Sequence, residues 1–212
     1  MSGPYDGQAP LADGGDAEIY SRRREKSEAM RRRVCEAASE HLSEFGYHRT
    51  SIGKIAERAG VSQGALQHHF RTKDDLVAAV VEDVLSRSVK WFSLARVELA
   101  RGPDAFAEVV RRSWREQFCS KDYAALLEIL TASRTDAALL DRITPALRSW
   151  RESIDRELTE LLPSTQRTAR ELDAILSISR AMMTGLLVQD HLLRDEAHID
   201  FVLEQWIDLA SR

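Results

Sequence analysis

The sequence predicts an all-α protein of about nine helices. Apolar residues recur three and four positions apart through most of the 212-residue chain, and only ten Gly and five Pro interrupt it. No segment shows the period of two that a half-buried strand requires, and no internal repeat is visible. The length allows one large domain or two small ones built from helices packed on helices.

The composition excludes several classes of protein. Charged residues make up 30% and hydrophobic residues 43% of the chain, as in ordinary soluble domains. The longest run without a formal charge, Ala59–Phe70, is too short and too polar to cross a bilayer, and no signal-peptide pattern opens the chain. Cys35 and Cys119 are isolated thiols, typical of a reducing compartment, so we expect a cytoplasmic protein.

Charge is distributed unevenly along the chain. Residues 1–20 carry four acidic and no basic side chains, residues 21–88 carry thirteen Lys and Arg against ten Asp and Glu, and residues 89–212 carry seventeen against twenty. This pattern hints at an anionic partner for the middle segment.

The first 25 residues are predicted to be a disordered tail with a basic arm. Four Gly and two Pro lie within residues 1–20, and no apolar periodicity accompanies them. The tail ends in the basic run Arg22–Arg24. A solvated, mobile segment is favoured for this run, and an arm that enters the minor groove of DNA is the alternative.

Four helices are predicted to begin between residues 26 and 88, and residues that favour helix ends bound them. Gly suits the position after a helix because it accepts the left-handed conformation, and Ser, Thr and Asp accept hydrogen bonds from the free N–H groups at a helix start. The predicted segments are Lys26 to Gly46, Ile52–Arg58 between Ser51 and Gly60, Gln63–Phe70 after Ser62, and a long helix opened by a capping box at Thr72 and Asp75.

The remaining helices are predicted in residues 89–212 from the same kinds of signal. Pro is tolerated in the first turn of a helix, and an apolar stripe at helical spacing follows each start. Gly102–Pro103 separates two predicted helices, and Asp122 is predicted to cap the next one. Another helix is predicted to begin at Thr144–Pro145 and to end at Pro163. The final predicted helix carries Ile199, Val202, Leu203, Trp206 and Ile207.

The segment 51–70 has the spacing of a helix-turn-helix. Ala56 is small enough for two helices to cross closely, Gly60 allows a sharp turn four residues later, and Leu66 anchors the inner face of the second helix. An ordinary helical corner is the alternative for these three residues taken alone. The residues left facing outward are short and polar, as contacts with base edges in a major groove require: Gln63, Gly64, Gln67, His68 and Arg71.

Around this segment the chain resembles the tetracycline-repressor-like (TetR) family of transcriptional regulators. The resemblance covers about residues 28–88 and implies a helix-turn-helix DNA-binding domain over residues 26–88, followed by an effector-binding and dimerisation domain over residues 89–212. The family commonly has an aromatic residue where this chain has Gln67. The residues that carry the resemblance are Gly46–Tyr47, Thr50–Ala56, Ala59–Leu66, His69–Lys73 and Leu76.

The resemblance also implies which residues contact DNA. In such a domain the start of the second helix holds a phosphate, the start of the third lies against base edges, and the end of the third touches phosphates or bases. The implied DNA-binding residues are Thr50, Ser51, Ser62, Gln63, Gly64, Ala65, Gln67, His68, His69 and Lys73.

Beyond residue 88 the resemblance implies an architecture, in which the last two long helices dimerise and a pocket binds a small effector. Trp114, Phe118 and Trp150 are weak candidates for the pocket, with plain core as the favoured alternative. The candidates for the dimer interface are Ala181, Met182, Gly185, Leu186, Val202 and Trp206.

The predicted function is a homodimeric repressor that binds a palindromic operator on double-stranded DNA and is released by an unknown small-molecule effector. A transcriptional activator, or an architectural DNA-binding protein without an effector, is the alternative. An enzyme ranks last, because the sequence contains no common nucleotide-binding or hydrolase motif. We expect no cofactor, no metal site and no membrane partner.

Overall fold

The computed structural model describes residues 14–102, 104–193 and 195–211 of the chain. This part contains nine α-helices and no strand, as predicted, and none of these helices is long and apolar enough to cross a membrane. A π-helical turn, Trp114–Phe118, continues α5, and a 3-10 turn, Leu162–Ser164, follows α7. The helices are α1 (Gly14–Phe45), α2 (Ile52–Ala59), α3 (Gln63–His69), α4 (Lys73–Leu99), α5 (Asp104–Ser113), α6 (Lys121–Ser133), α7 (Ala137–Leu161), α8 (Ala169–Leu193) and α9 (Glu196–Ser211).

The first helix begins earlier than the sequence predicts. Residues 14–25 of the expected disordered tail are helical and continue into α1 without a break, whereas residues 1–13 lie outside the described part. Hydrogen bonds from Ser21 to Glu25 (3.2 Å) and from Arg24 to Glu28 (2.8 Å) link successive turns. Residues 20–25 are exposed, so they offer no buried apolar stripe that a sequence pattern could detect.

The cap of α6 also differs from the prediction. The Oγ of Ser120 accepts a hydrogen bond from the backbone N–H of Tyr123 at 3.1 Å, so Ser120 and not Asp122 begins the helix. Asp122 lies in the first turn, where its carboxylate pairs with Arg87 of α4 at 2.8 Å. Ser and Asp are both favoured as caps, and Ser120 and Asp122 are only two residues apart, so the sequence alone could not show which of them caps α6.

The start of α7 is a further correction. The helix begins after the cap Asp136, and Pro145 therefore lies inside it instead of opening it. A proline at this position lacks the N–H that would bond the carbonyl of Asp141. Both Pro145 and Asp141 are exposed, so water can satisfy that carbonyl and the helix continues.

The helix starts of the N-terminal half are confirmed. Ser51 and Ser62 each accept a hydrogen bond from the backbone N–H three residues further on, at 3.4 and 3.2 Å. Thr72 and Asp75 form a reciprocal capping box, in which each side chain accepts from the backbone N–H of the other at 3.0 and 3.1 Å. These caps satisfy backbone donors that the first turns of α2, α3 and α4 leave free.

Three hydrophobic cores hold the helices together. The first joins α1–α4 to α6 and α7 and includes Ile55, Leu66, Val80, Ile129 and Ile143. The second joins the α5 region to α8 and α9, and the third joins α7 to α8 with partly buried residues of α4 packed against it. Helix α4 thus passes through the boundary predicted after residue 88 and contacts helices on both sides of it.

Replacing Thr72 with Ala should lower the free energy of unfolding by about 1 kcal/mol, because a helix start loses its cap. Urea denaturation followed by circular dichroism measures the change. Thr131→Ala, at an exposed position of α6, is the matched control and should stay within about 0.5 kcal/mol of the parent protein. Equal losses in both variants would contradict a role for the capping box.

Candidate nucleic-acid interface

A left-handed glycine makes the turn between α2 and α3. Gly60 has φ 61° and ψ 39°, a conformation that residues with a side chain rarely adopt. The N–H groups of Gly60 and Val61 donate to the carbonyls of Glu57 and Ala56, each at 3.0 Å. Ala56 and Leu66 are buried in the first core. The structure therefore places Ala56, Gly60 and Leu66 as their spacing predicts.

Arg33 of α1 holds the end of α2, and the sequence analysis missed it. Its Nε donates to the carbonyl of Ala59 at 2.6 Å, and its Nη2 donates to the carbonyl of Gly60 at 2.7 Å. Carbonyls at a helix end lack partners within the helix, and the helix dipole favours a cation there. No local signal marks this contact, because Arg33 lies in a different helix from the two carbonyls.

The starts of α2 and α3 lie side by side. A Cβ placed on Gly53 would lie 3.8 Å from Oε1 of Gln63. Neither first turn contains an acidic residue, whereas the first turn of α4 contains Asp74 and Asp75. The dipole and free N–H groups at the start of α2 can therefore favour a phosphate without competition from a neighbouring carboxylate of that turn.

The residues predicted to contact bases lie at the surface of α3. Leu66 and Phe70, 0% and 4% exposed, fix the opposite side of the helix in the first core. No residue of α3 carries a formal charge, so its polar groups are amides and imidazoles. Exposed residues are Ser62, Gln63, Gly64, Gln67 and His68, and half-buried residues are Ala65 and His69.

Thr50 is the exception among the predicted contacts. Its side chain is 5% exposed, and its hydroxyl donates to the carbonyl of Gly46 at 2.9 Å. The hydroxyl therefore fixes the loop before α2 and is not presented to a phosphate, which corrects the prediction for Thr50. The neighbouring Ser51 is exposed and caps α2.

Lys73 is engaged within the protein. Its ammonium donates to the carbonyl of Tyr47 at 2.7 Å and lies 3.6 Å from the centroid of the Tyr47 ring. Burial lowers the pKa of Lys73, and burial together with a hydrogen bond to Asp74 raises the pKa of Tyr47 to about 12. These three residues tie the loop after α1 to the start of α4, and a phosphate contact by Lys73 stays a prediction.

Two exposed cations beside the start of α2 were also missed. Arg49 precedes the cap Ser51, and Lys54 follows it within the first turn. The ammonium of Lys54 donates to the carbonyl of Arg49 at 2.9 Å, which holds the two residues together. Their signal in the sequence was their position on either side of a predicted cap.

A large cavity lies among the C-terminal helices, with walls from α4 to α9. Its volume is about 1520 Å³, above the roughly 300–1,000 Å³ of most ligand pockets. Two of the three predicted pocket residues, Phe118 and Trp150, line it, together with Trp91 and Phe92. Trp114 is not among the lining residues and packs against the second core. For Trp114 the favoured alternative, plain core, therefore holds.

The predicted dimer residues fall into two groups. Ala181 is exposed and Gly185 half-buried on α8, so both remain candidates. Leu186 is buried in the second core, which corrects its assignment to the interface, because α5, α8 and α9 of one chain already cover it. Met182, Val202 and Trp206 pack against the same core. The large apolar residues of α8 and α9 that stay exposed are Ile178, Val188, Phe201 and Leu209.

Residues 34–80 match the sequence profile of bacterial regulatory proteins of the tetR family. This segment of the chain is similar to the family's N-terminal profile. The matched segment extends from the middle of α1 into α4 and contains the whole candidate interface, including the turn at Gly60. The match agrees with the regulatory, DNA-binding role that the sequence analysis predicts for residues 26–88.

Relatives extend the similarity to the C-terminal half. An uncharacterised HTH-type transcriptional regulator of Mycobacterium tuberculosis is 29% identical over 170 residues, which cover 80% of this chain and 83% of that protein. The fatty acid metabolism regulator protein of Bacillus subtilis is 24% identical over 131 residues, or 62% of this chain and 67% of that protein. The crystal structure of the B. subtilis regulator FadR in complex with stearoyl-CoA shares the fold, with a TM-score of 0.62, 18% identity and coverage of 84% and 96%.

Replacing Gly64 with Ala should weaken operator binding by about tenfold, or about 1.4 kcal/mol, and leave the fold intact. Apart from its chain neighbours and the nearby backbone of α3, no described atom lies within 4 Å of a Cβ at this position, and Ala suits a helix better than Gly does. The loss would come from a methyl group placed between the α3 backbone and the base edges. Fluorescence anisotropy on operator DNA measures the affinity, and thermal unfolding of the same sample is the control. Unchanged affinity would contradict a close approach of α3 to the bases.

Operator affinity should rise as the pH falls from about 8 to about 6, because a nearby phosphate favours the charged form of a histidine side chain. His68 is exposed and His69 half-buried, with ring centroids 5.6 Å apart. The double variant His68→Asn, His69→Asn should show a shallower pH dependence in an anisotropy titration. His198→Asn, an exposed histidine of α9, is the control and should keep the parent slope. The same slope in all three proteins would refute the prediction.

Proposed function

We propose that this protein is a dimeric repressor of the tetR family that binds a twofold-symmetric operator and leaves it when a small molecule occupies the cavity. The observation that carries the proposal is the exposed, uncharged face of α3, with Gln63 and Gln67 outward and Leu66 anchored in the core. A major groove admits one such helix, and an amide side chain can pair with adenine through two hydrogen bonds.

Binding strength in this proposal comes from groups around α3. Arg49, Lys54 and Arg71 are exposed beside α2 and after α3, and cations at these positions suit phosphates on either side of a groove. The start of α2, capped by Ser51, adds backbone N–H groups. Contacts with phosphates set affinity and orientation, while the amides of α3 set sequence preference.

The dimer in this proposal forms through the exposed apolar stripe of α8 together with α9. Along α8 the stripe has helical spacing, and its small residues allow close helix approach. Phe201 and Leu209 of α9 are 60% and 63% exposed. A second chain packed against α9 would remove this apolar surface from water. The residues of the α8 stripe are Ala174, Ile178, Ala181, Gly185 and Val188.

The effector site in this proposal is the cavity of about 1520 Å³. Helix α4 begins at the candidate interface with Lys73 and lines the cavity further on with Trp91 and Phe92. A ligand that favours one position of α4 therefore also favours one position of α3, and by linkage DNA and ligand oppose each other. The stearoyl-CoA bound to the similar FadR supports a large effector, and the cytoplasm is the expected place of action.

Selection of binding sites from random duplex DNA tests the proposal directly. We expect a twofold-symmetric consensus, and an affinity that falls steeply as salt rises because phosphate contacts release counterions. Selected sequences without symmetry, or an absence of any consensus, would contradict it. Reporter transcription from the selected site then separates repression from activation.

Replacing Phe201 with Glu should convert the dimer to a monomer and lower operator affinity by more than about tenfold, because each half-site contact then acts alone. Size-exclusion chromatography with light scattering measures the mass. Leu94→Glu, at a 67% exposed apolar position of α4, is the control and should remain dimeric. A dimer that survives Phe201→Glu would place the interface elsewhere.

A further inference from the structure

One arginine in the cavity wall has no ion-pair partner. Arg180 of α8 lines the cavity, and its guanidinium carbon lies 5.0 Å from the centroid of the Trp150 ring. Within the residues that the structure describes, no carboxylate lies within ion-pair distance of it. The other two arginines of the wall are engaged, since Arg87 pairs with a carboxylate of α6 and Arg167 donates to the carbonyl of Ala210.

None of the three described carboxylates of the cavity wall lies within ion-pair distance of Arg180, and each already accepts a hydrogen bond or ion pair from another residue. Glu116 accepts from the indole of Trp91 at 3.1 Å, Asp122 pairs with Arg87 at 2.8 Å, and Glu171 accepts from Thr168 at 2.7 and 2.8 Å. A ligand anion that enters the cavity would stabilise a cation held beside this apolar wall.

Trp150 fixes Arg180 at this part of the wall. Its indole Nε1 is buried and has no hydrogen-bond acceptor among the described residues. Its ring packs against the first and the third core, so the side chain is held in place. Trp150 therefore offers the guanidinium of Arg180 a fixed aromatic face at the cavity wall.

The wall around this pair is apolar over a long distance. The lining residues of α7 extend from Leu147 to Leu161, which at 1.5 Å per residue is about 20 Å. Helix α8 lines the cavity with further apolar side chains. Apolar residues of this wall include Leu147, Ile154, Leu158, Leu172, Ile175 and Leu176.

We propose that the cavity binds an amphiphilic carboxylate, with the carboxylate paired to Arg180 and a long apolar body along the α7–α8 wall. The planar guanidinium can hold a carboxylate through two parallel N–H···O bonds, and the surrounding apolar side chains strengthen the pairing. The proposal favours a free carboxylate over its thioester, because the thioester carbonyl carries no charge to balance Arg180. It rests on the proposed effector site.

Calorimetric titration of the full-length protein tests this assignment with octanoate, dodecanoate and hexadecanoate, each beside the alcohol of the same length. We expect at least one acid to bind about tenfold or more tightly than its alcohol. Arg180→Met should abolish this preference and leave the affinity for the alcohol unchanged. Arg170→Met, an exposed arginine of α8 outside the cavity wall, is the matched control and should keep the preference.

Three results would overturn the proposal: acid and alcohol of every length binding equally to the parent protein, Arg180→Met retaining the preference, or dodecanoyl-CoA binding in place of dodecanoate with no dependence on Arg180. If Arg180→Met fails to fold, the comparison of acid with alcohol on the parent protein and on Arg180→Gln still decides. Operator binding is measured separately. An Arg180-dependent acid that does not release DNA would support the ligand class and contradict effector-controlled release.

Discussion

The presentation of α3 depends on how the end of α2 is held. Gly60 supplies the left-handed conformation that turns the chain, and Arg33 binds the carbonyls of Ala59 and Gly60 from a helix outside the motif. A guanidinium can direct separate N–H groups at two acceptors, whereas an ammonium is a compact point charge on a flexible stem. The angle between α2 and α3 is therefore set partly by α1, and the helix-turn-helix is not an independent unit.

The same dependence on neighbouring helices extends to the rest of the chain. The core beneath α2 and α3 also contains Ile129 of α6 and Ile143 of α7, and the start of α4 pairs with α7 through Asp75 and Arg142. Because α4 continues without interruption to Leu99, the candidate interface and the cavity share one rigid element. The two predicted domains are thus packed together as well as covalently linked.

Local chemistry made much of the N-terminal half predictable. The caps Ser51, Ser62 and Thr72 and the turn at Gly60 depend on residues within a few positions of one another, so their spacing carries the information. Thr50 escaped this logic: its residue type suits a phosphate contact, but its burial depends on how the loop folds against α1.

Contacts between distant helices could not be predicted. The pairing of Lys73 with Tyr47, and the lack of a carboxylate beside Arg180 among the residues that the structure describes, become visible only when helices are placed next to each other. In the C-terminal half, the π-helical turn at Trp114 and the internal Pro145 shift the helical register that an apolar pattern assumes to be regular. Assignments to pocket, core or interface were least accurate there.

The absence of Lys and Arg from α3 separates affinity for DNA, which comes from phosphate contacts, from sequence preference, which comes from base contacts. Counterion release comes from cations against phosphates, and in the proposed complex the Lys and Arg side chains flank α3, whose ionisable side chains are only His68 and His69. Ionic strength therefore acts on how long the protein stays on any duplex, while the ranking of one duplex over another is left to neutral donors and acceptors. Cells that change their internal salt content would alter the occupancy of all sites together and preserve their order.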